Sequence, residues 1–302
     1  MSKKVSGQVF AEHAVYTSLY ARLRHPWLRT VLQRPVRLLF CSLVNLGFRE
    51  LIALNSKNRV LACLAMLLFL GGTVPVWGEQ IRVAAASNVA GAAKALAERF
   101  EADTSHEVVL AFGATGKHYA QIRNGAPFHA FLAADVERPR RLEEEGVAVT
   151  GSRFTYARGA LVLWSPESGY VDGEGRVLEK GSYRYLAIAN PRLAPYGRAA
   201  RQVLEQRGLW EATEGRRVMG ENIAQTFQFV NTGNAALGFV AASQLKGSAG
   251  AGSRWRVPQS LHDPINQQAV LIEDHPVARD FLTFVGGDEG RSVFQEFGYE
   301  VP

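Results

Sequence analysis

Four short stretches of the chain carry residue types suited to holding an anion without formal positive charge. They are Ala85-Ala86-Ser87-Asn88, Phe112-Gly113-Ala114-Thr115-Gly116, the segment from Asn190 through Ala194-Pro195-Tyr196 to Gly197, and Glu221-Asn222-Ile223-Ala224-Gln225-Thr226. Each follows an apolar run and precedes a helical pattern, so each reads as a strand-to-helix turn. The first turn of a helix has backbone N–H groups without partners in the helix, and the positive end of the helix dipole lies there. Such a turn can receive an anion, and a Ser or Thr hydroxyl adds a donor. Taken singly, these residues are ordinary helix caps. Together they carry more weight, because ligands of open α/β sheets sit beyond the carboxyl ends of the strands, where these turns would cluster.

Other chemistries are poorly supplied. Both cysteines, Cys41 and Cys63, precede residue 79, which excludes disulfides, zinc thiolate sites and a cysteine nucleophile for the rest of the chain. His106, His118, His129, His262 and His275 include no pair at helical metal-ligand spacing. No Gly-x-Ser-x-Gly nucleophile elbow occurs. Gly116-Lys117 has the flavour of a phosphate loop, but Ala111 stands at the first glycine position and His118 replaces Ser/Thr. Lys117 is then either a rim charge that attracts anions or a solvated side chain. Asp135, after a strand, reads as a structural or hinge residue. Glu143-Glu144-Glu145 reads as a solvated helix end, and Trp164, Trp210 and Trp255 as core or lobe-surface anchors.

The elements that must position the four turns follow from periodicity. Short buried-strand patterns occupy 81–85, 108–112, 128–133, 160–164, 185–189, 237–241 and 268–272. Helical patterns lie between them at 89–100, 118–124, 139–145, 198–207 and 223–231, with closing helices at 277–285 and 291–297. Gly146 and Gly208 stand where helices should stop. Residues 246–254 read as a flexible Gly/Ser loop. The alternation predicts an α/β protein of two lobes, each a mainly parallel sheet flanked by helices, with a ligand cleft between.

Composition agrees with a folded protein: 302 residues, 47% hydrophobic and 21% charged. The net charge of +6 is unevenly placed. Residues 1–78 hold ten Lys/Arg and two Asp/Glu, whereas residues 79–302 carry a net charge of −2, which gives no case for nucleic acid. Lys57 and Arg59 precede the apolar run Leu61 to Leu70, and Gly71-Gly72, Pro75 and Gly78 follow. This is the pattern of a signal peptide over 55–78, cleaved after Gly78, and the run is shorter than the ~20 residues a membrane span needs. Residues 1–54 then read as an N-terminal extension, the product of a start codon placed too far upstream.

The motifs in order, Ala84-Ala85-Ala86-Ser87-Asn88, Phe112 to Lys117 with Tyr119-Ala120-Gln121-Ile122, Asn124-Gly125-Ala126-Pro127 and Phe131 to Asp135, resemble the periplasmic molybdate-binding proteins of ABC importers. The resemblance continues through Ala189-Asn190-Pro191, Ala194-Pro195-Tyr196-Gly197, Glu221-Asn222-Ile223 and Leu237-Gly238-Phe239-Val240, and so spans nearly all of residues 80–302. It implies a type II periplasmic-binding-protein fold that closes on molybdate or tungstate and then docks to an inner-membrane permease. The metal is held as an oxyanion, with no coordination by the protein, no cofactor and no catalytic step. Carried over by motif, Ser87, Asn88, Thr115, Tyr196 and Ile223 are the anion-binding residues, the last two mainly through backbone N–H groups. Ala114-Thr115 departs from the family's usual Ser-Ser pair and removes one hydroxyl. By the same resemblance, 79–158 with 263–302 form lobe 1 and 159–262 form lobe 2, and a monomer in the periplasm is expected. The alternatives are a binder of another tetrahedral oxyanion such as sulfate, an enzyme on this scaffold acting on a phosphorylated metabolite, and a cytoplasmic anion sensor. The enzyme would need a base or metal that the four turns do not offer.

Overall fold

A computed structural model describes residues 78–246 and 251–302. Apart from Gly78, the stretch 55–78 read above as a signal peptide, the residues before it and both cysteines lie outside the described residues.

Two five-stranded sheets organise the chain. The first contains β1 (Gln80–Ala86), β2 (Glu107–Gly113), β3 (Ala130–Ala133), β4 (Phe154–Gly159) and β10 (Ile265–Leu271), in the order β2-β1-β3-β10-β4. The second contains β5 (Leu161–Ser165), β6 (Leu186–Ala189), β7 (Arg217–Gly220), β8 (Leu237–Ala241) and β9 (Ser253–Arg256), in the order β7-β6-β8-β5-β9. The chain passes from the first sheet to the second through Ala160 alone, and returns between Arg256 and Ile265.

Each sheet is mixed rather than uniformly parallel. In the first, β1 runs parallel to β2 and β3, while β10 is antiparallel to both β3 and β4. In the second, β6 is parallel to β7 and β8, and β5 is antiparallel to β8 and β9. Parallel neighbours need a crossover helix. The antiparallel strands are those beside the passages between sheets, where the connections carry no α-helix.

Helices cover both faces of the first sheet. They are α1 (Ala90–Asp103), α2 (Thr115–Arg123), α3 (Glu137–Glu144), α7 (Pro276–Gly286) and α8 (Asp288–Glu296). On one face Ala92, Ala93, Leu96 and Phe100 of α1, one and two turns apart, pack with Phe281 and Phe294 of α7 and α8. On the other, Tyr119 and Ile122 of α2 and Leu142 of α3 pack against Phe131. The second sheet carries the short α4 (Val177–Lys180), α5 (Pro195–Gln206) and α6 (Ile223–Asn231). Its core joins Leu163, Ile188 and Phe239 to Ala200, Val203 and Leu204 of α5. A turn follows α5 at Gly208, whose φ of 68° is a left-handed value that a glycine adopts without steric cost.

Four elements lack a counterpart in the sequence reading. These are β4, β7, β9 and α4. Phe-Thr-Tyr-Ala-Arg-Gly and Ser-Arg-Trp-Arg mix polar and apolar residues, and β4 and β9 are edge strands with a side open to water. Ser253 and Arg254, expected in a flexible loop, pair with Ser165 and Trp164. Helix α2 begins at Thr115 rather than His118, because Thr-Gly reads as turn by propensity. That shift places Thr115 at the first helical position. Glu143 is mostly buried and paired with Arg153 at 2.8 Å, so it is not the solvated residue expected of a helix end.

Candidate functional site

Each of the four turns follows a parallel strand and opens a helix. β1 leads into a 3-10 turn, Ser87–Val89, and then α1. β2 leads through Ala114 to Thr115, β6 through Asn190–Ala194 to Pro195, and β7 through Glu221 and Asn222 to Ile223. The first two belong to the first sheet and the other two to the second. Thr115 and Ile223 are the first helical residues of α2 and α6, and Tyr196 is the second of α5, positions whose N–H groups have no acceptor within the helix.

The turns meet in pairs across the cleft. The Ala224 N–H donates to Ser87 Oγ at 3.4 Å, joining the start of α6 to the end of β1. The Gly116 N–H donates to the Leu193 carbonyl at 2.8 Å, joining the start of α2 to the segment before α5. Ser87, Asn88, Thr115, Tyr196 and Ile223 are all buried, between 1% and 7% exposed.

Their side chains differ in what they can still do. The Thr115 hydroxyl accepts from the Ala134 N–H at 3.2 Å, which leaves its own proton to donate. The Ser87 hydroxyl, accepting from Ala224, is in the same position. The Ile223 side chain is apolar and its carbonyl receives Gln244 Nε2 at 3.1 Å, so only its N–H is available to a ligand. The Tyr196 phenol is directed away, towards Gln267 Nε2 at 3.4 Å. It lies so close to Gly159 that a Cβ there would stand 2.0 Å from the hydroxyl oxygen. Glycine at the passage between sheets is therefore a packing requirement.

Asn88 is committed to a buried polar network under the cleft. Its Nδ2 donates to Gln267 Oε1 at 2.8 Å and towards the Tyr299 hydroxyl at 3.1 Å. Its carbonyl accepts from Ser243 Oγ at 3.0 Å and from the Tyr299 hydroxyl at 2.8 Å. Tyr156 joins, with its hydroxyl donating to the Ala133 carbonyl at 2.9 Å. Burial pushes the phenols of Tyr156, Tyr196 and Tyr299 well up, so all three stay neutral. The floor of the cleft is thus polar and uncharged. Gln267, Tyr299 and Ser243 were missed in the sequence. A lone Gln, Tyr or Ser in an apolar context carries no spacing signal, and chain positions as far apart as 88 and 299 meet only in the fold.

Formal charges stand at the edge and in opposed pairs. Lys117 Nζ lies 3.7 Å from Glu221 Oε2, reaching from the first sheet's side to the second's, with both side chains exposed. Asp135 is buried and held by the Arg138 N–H at 3.1 Å and by the Arg138 guanidinium. A cavity of about 240 Å³ opens between Phe112, Lys117, His118, Glu221 and Asn222 at this edge. His118 is buried beside it, and desolvation lowers its pKa, with the Gln121 contact at 3.1 Å offsetting part of the shift. Among the described residues no cluster of three or more His, Cys, Asp or Glu is arranged to hold a metal ion. The arrangement can surround a small polyanion with hydroxyls and helix-start N–H groups drawn from both lobes.

The chain matches known proteins over most of its length. A family model described as bacterial extracellular solute-binding protein covers residues 81–300. The molybdate-binding protein ModA of Azotobacter vinelandii is 50% identical over 225 residues, covering 73% of this chain and 89% of that protein. ModA of Rhodobacter capsulatus is 43% identical over 238 residues, covering 78% and 94%. The solved periplasmic molybdate-binding protein of Azotobacter vinelandii superposes with a TM-score of 0.71 at 39% identity, covering 74% of this chain and 99% of that one.

Proposed function

The chain belongs to the bacterial extracellular solute-binding protein family and, within it, to the molybdate-binding proteins; on that premise we propose that it captures molybdate, or tungstate, outside the cytoplasm and delivers it to an ABC permease. The observation that carries the reading is the meeting of four helix starts from two sheets, joined by the Ser87–Ala224 and Gly116–Leu193 contacts.

In this reading the Ser87 and Thr115 hydroxyls donate to the anion, and the N–H groups of Thr115, Tyr196 and Ile223 complete the shell. Asn88 takes part through a backbone orientation that Ser243 and Tyr299 fix. The protein binds and releases cargo with no chemical step, needs no cofactor, and acts as a periplasmic monomer. A shell of dipoles suits a carrier. Hydrogen bonds to a charged group contribute about 1.5–3 kcal/mol each, enough in sum to hold a dianion, while a fully cationic shell would oppose its release. The lobes, 79–158 with 263–302 and 159–262, close about Gly159–Leu161 and the return segment, which is hinge closure around a ligand.

Sulfate is the second reading, since it shares charge and shape with molybdate and differs in size. Calorimetric titration of the exported protein with molybdate, tungstate, sulfate and phosphate decides between them. Tight binding of the first two alone is expected, and a preference for sulfate overturns the assignment. N-terminal sequencing of the exported protein is expected to begin near Glu79, and a retained Met1 would contradict export by signal cleavage.

A further inference from the structure

Arg138 stands outside the donor set, yet it touches three parts of the site. It belongs to α3 of the first lobe, and its side chain is only 15% exposed. One arm of its guanidinium is held by Asp135, which is itself 6% exposed and also accepts the Arg138 N–H at 3.1 Å. The other arm, Nη2, donates across the cleft to the Arg192 carbonyl at 3.1 Å. The same nitrogen lies against the start of α2, since a Cβ on Gly116 would stand 3.0 Å from it.

The next carbonyl along the second lobe, that of Leu193, accepts the Gly116 N–H at 2.8 Å. Two consecutive carbonyls, of Arg192 and Leu193, are therefore gripped by two donors of the first lobe, a guanidinium arm and a backbone N–H. Gly116 directly follows Thr115. Leu193 lies three residues before Tyr196, in the segment whose own turn is closed by Asn190, with the Ala194 N–H on the Asn190 carbonyl at 2.8 Å and the Arg192 N–H on Asn190 Oδ1 at 3.0 Å. The grip sets where the start of α5 stands relative to the start of α2.

We propose that Arg138 is a positioning residue for oxyanion retention: it clasps the Asn190–Ala194 segment of the second lobe to the start of α2, and so holds the cleft closed once the anion is inside. Asp135 keeps the guanidinium aimed, and it and Glu137 together offset the charges of Arg138 and Arg198, which lies 3.8 Å from Asp135 and 3.1 Å from Glu137, so the clasp acts by geometry rather than by attracting the anion. The planar fork suits this, because one arm reaches the carboxylate while the other reaches the carbonyl. Lysine carries all its donors on one nitrogen and lacks the spacing of the two arms. Gly116 is required because any side chain there would press on Leu193, with an added Cβ 3.0 Å from its carbonyl oxygen.

The inference rests on the molybdate reading, and the test separates the two. Stopped-flow association and release of molybdate are measured on the full exported protein and on Arg138→Lys and Gly116→Ala, with ligand-free melting as a control. Arg138→Lys keeps the charge and the Asp135 partner but loses the second arm. Gly116→Ala leaves the Arg138 and Asp135 side chains in the sequence but presses a methyl on both Arg138 Nη2 and the Leu193 carbonyl, and it carries the test if the first variant fails to fold. In both, release is expected to accelerate about tenfold, the equivalent of one lost bond of about 1.4 kcal/mol, with association and ligand-free melting unchanged. Release at the parent rate in both variants overturns the clasp. A weakened affinity arising wholly from slower association overturns it too, because that is the signature of lost electrostatic steering. An unmodified protein that binds no molybdate refutes the functional reading itself, independently of how the variants compare.

Discussion

In the proposed site the two lobes solve one problem with different atoms. Each has four strands running one way and one, β10 or β5, running against them in the same place in the order, and each directs two helix starts into the cleft. The first lobe adds side-chain hydroxyls, Ser87 and Thr115, each with an accepted bond that orients it. The second lobe offers the backbone. Its residues at the cleft, Tyr196 and Ile223, bury their side chains in the core and present N–H groups. A hydroxyl is lost in any change to Ala, whereas an N–H survives every substitution but proline, so sensitivity to substitution should be lopsided. The half of the shell made by the second lobe should tolerate change wherever the helix start stays in place.

The largest effect is expected at Thr115. Thr115→Ala removes a donor to the anion and strips the Ala134 N–H of its acceptor. Molybdate affinity should fall by about 1–3 kcal/mol, measured by calorimetry, and an unchanged value removes Thr115 from the site. Ser87→Ala should cost less, about 1 kcal/mol, because the Ala224 contact it gives up is already long at 3.4 Å. Tyr196→Phe and Ile223→Val sharpen the contrast from the other side. Both keep the N–H, and affinity should change by no more than about 0.5 kcal/mol. Tyr196→Phe should instead lower the melting temperature, since Gln267 loses a buried acceptor. A large loss of affinity in either variant would show that the second lobe also works through side chains.

The smallest effect concerns protons. Burial lowers the pKa of His118 below the ordinary 6.5, so between the native value and 6.5 the unfolded chain binds more protons than the folded one. The stability His118 contributes is complete above pH 6.5 and is lost as pH falls towards its native value. The ligand-free melting temperature should therefore fall from about pH 7 to about pH 5, and His118→Gln should reduce that slope. His262, lowered by burial in the return segment, adds in the same direction. A slope unaffected by His118→Gln would mean that His118 titrates alike in the folded and unfolded chain.

The turns at Ser87, Thr115, Tyr196 and Ile223 were legible because short-range rules produce them. An apolar strand followed by small residues and a helical period marks the first three, and at Ile223 the Asn222 cap and the helical period alone mark the start. The helix at 223–231 and the strand at 237–241 have the same bounds in the sequence and in the structure, the helix an apolar pattern at helical spacing and the strand a continuous apolar run, both with clear ends. The edge strands β4, β7 and β9 were not legible, because strands open to water on one side mix polar residues into short runs. The network beneath the cleft was hidden for another reason. Tyr156, Gln267 and Tyr299 are far from Asn88 in the chain, and each alone looks like a common surface or core residue. Arg138 was hidden likewise, since its meaning depends on Gly116 and Arg192 arriving beside it.

The proposed site grips the oxyanion with dipoles rather than cations, and a crystal structure of the molybdate-loaded protein, with the metal located by its anomalous scattering, tests that directly. The account predicts the molybdate oxygens within hydrogen-bond distance of the Ser87 and Thr115 hydroxyls and the Thr115, Tyr196 and Ile223 N–H groups, with Lys117 still turned to Glu221 and Arg138 to Asp135. A lysine ammonium or an arginine guanidinium bonded to those oxygens would contradict it.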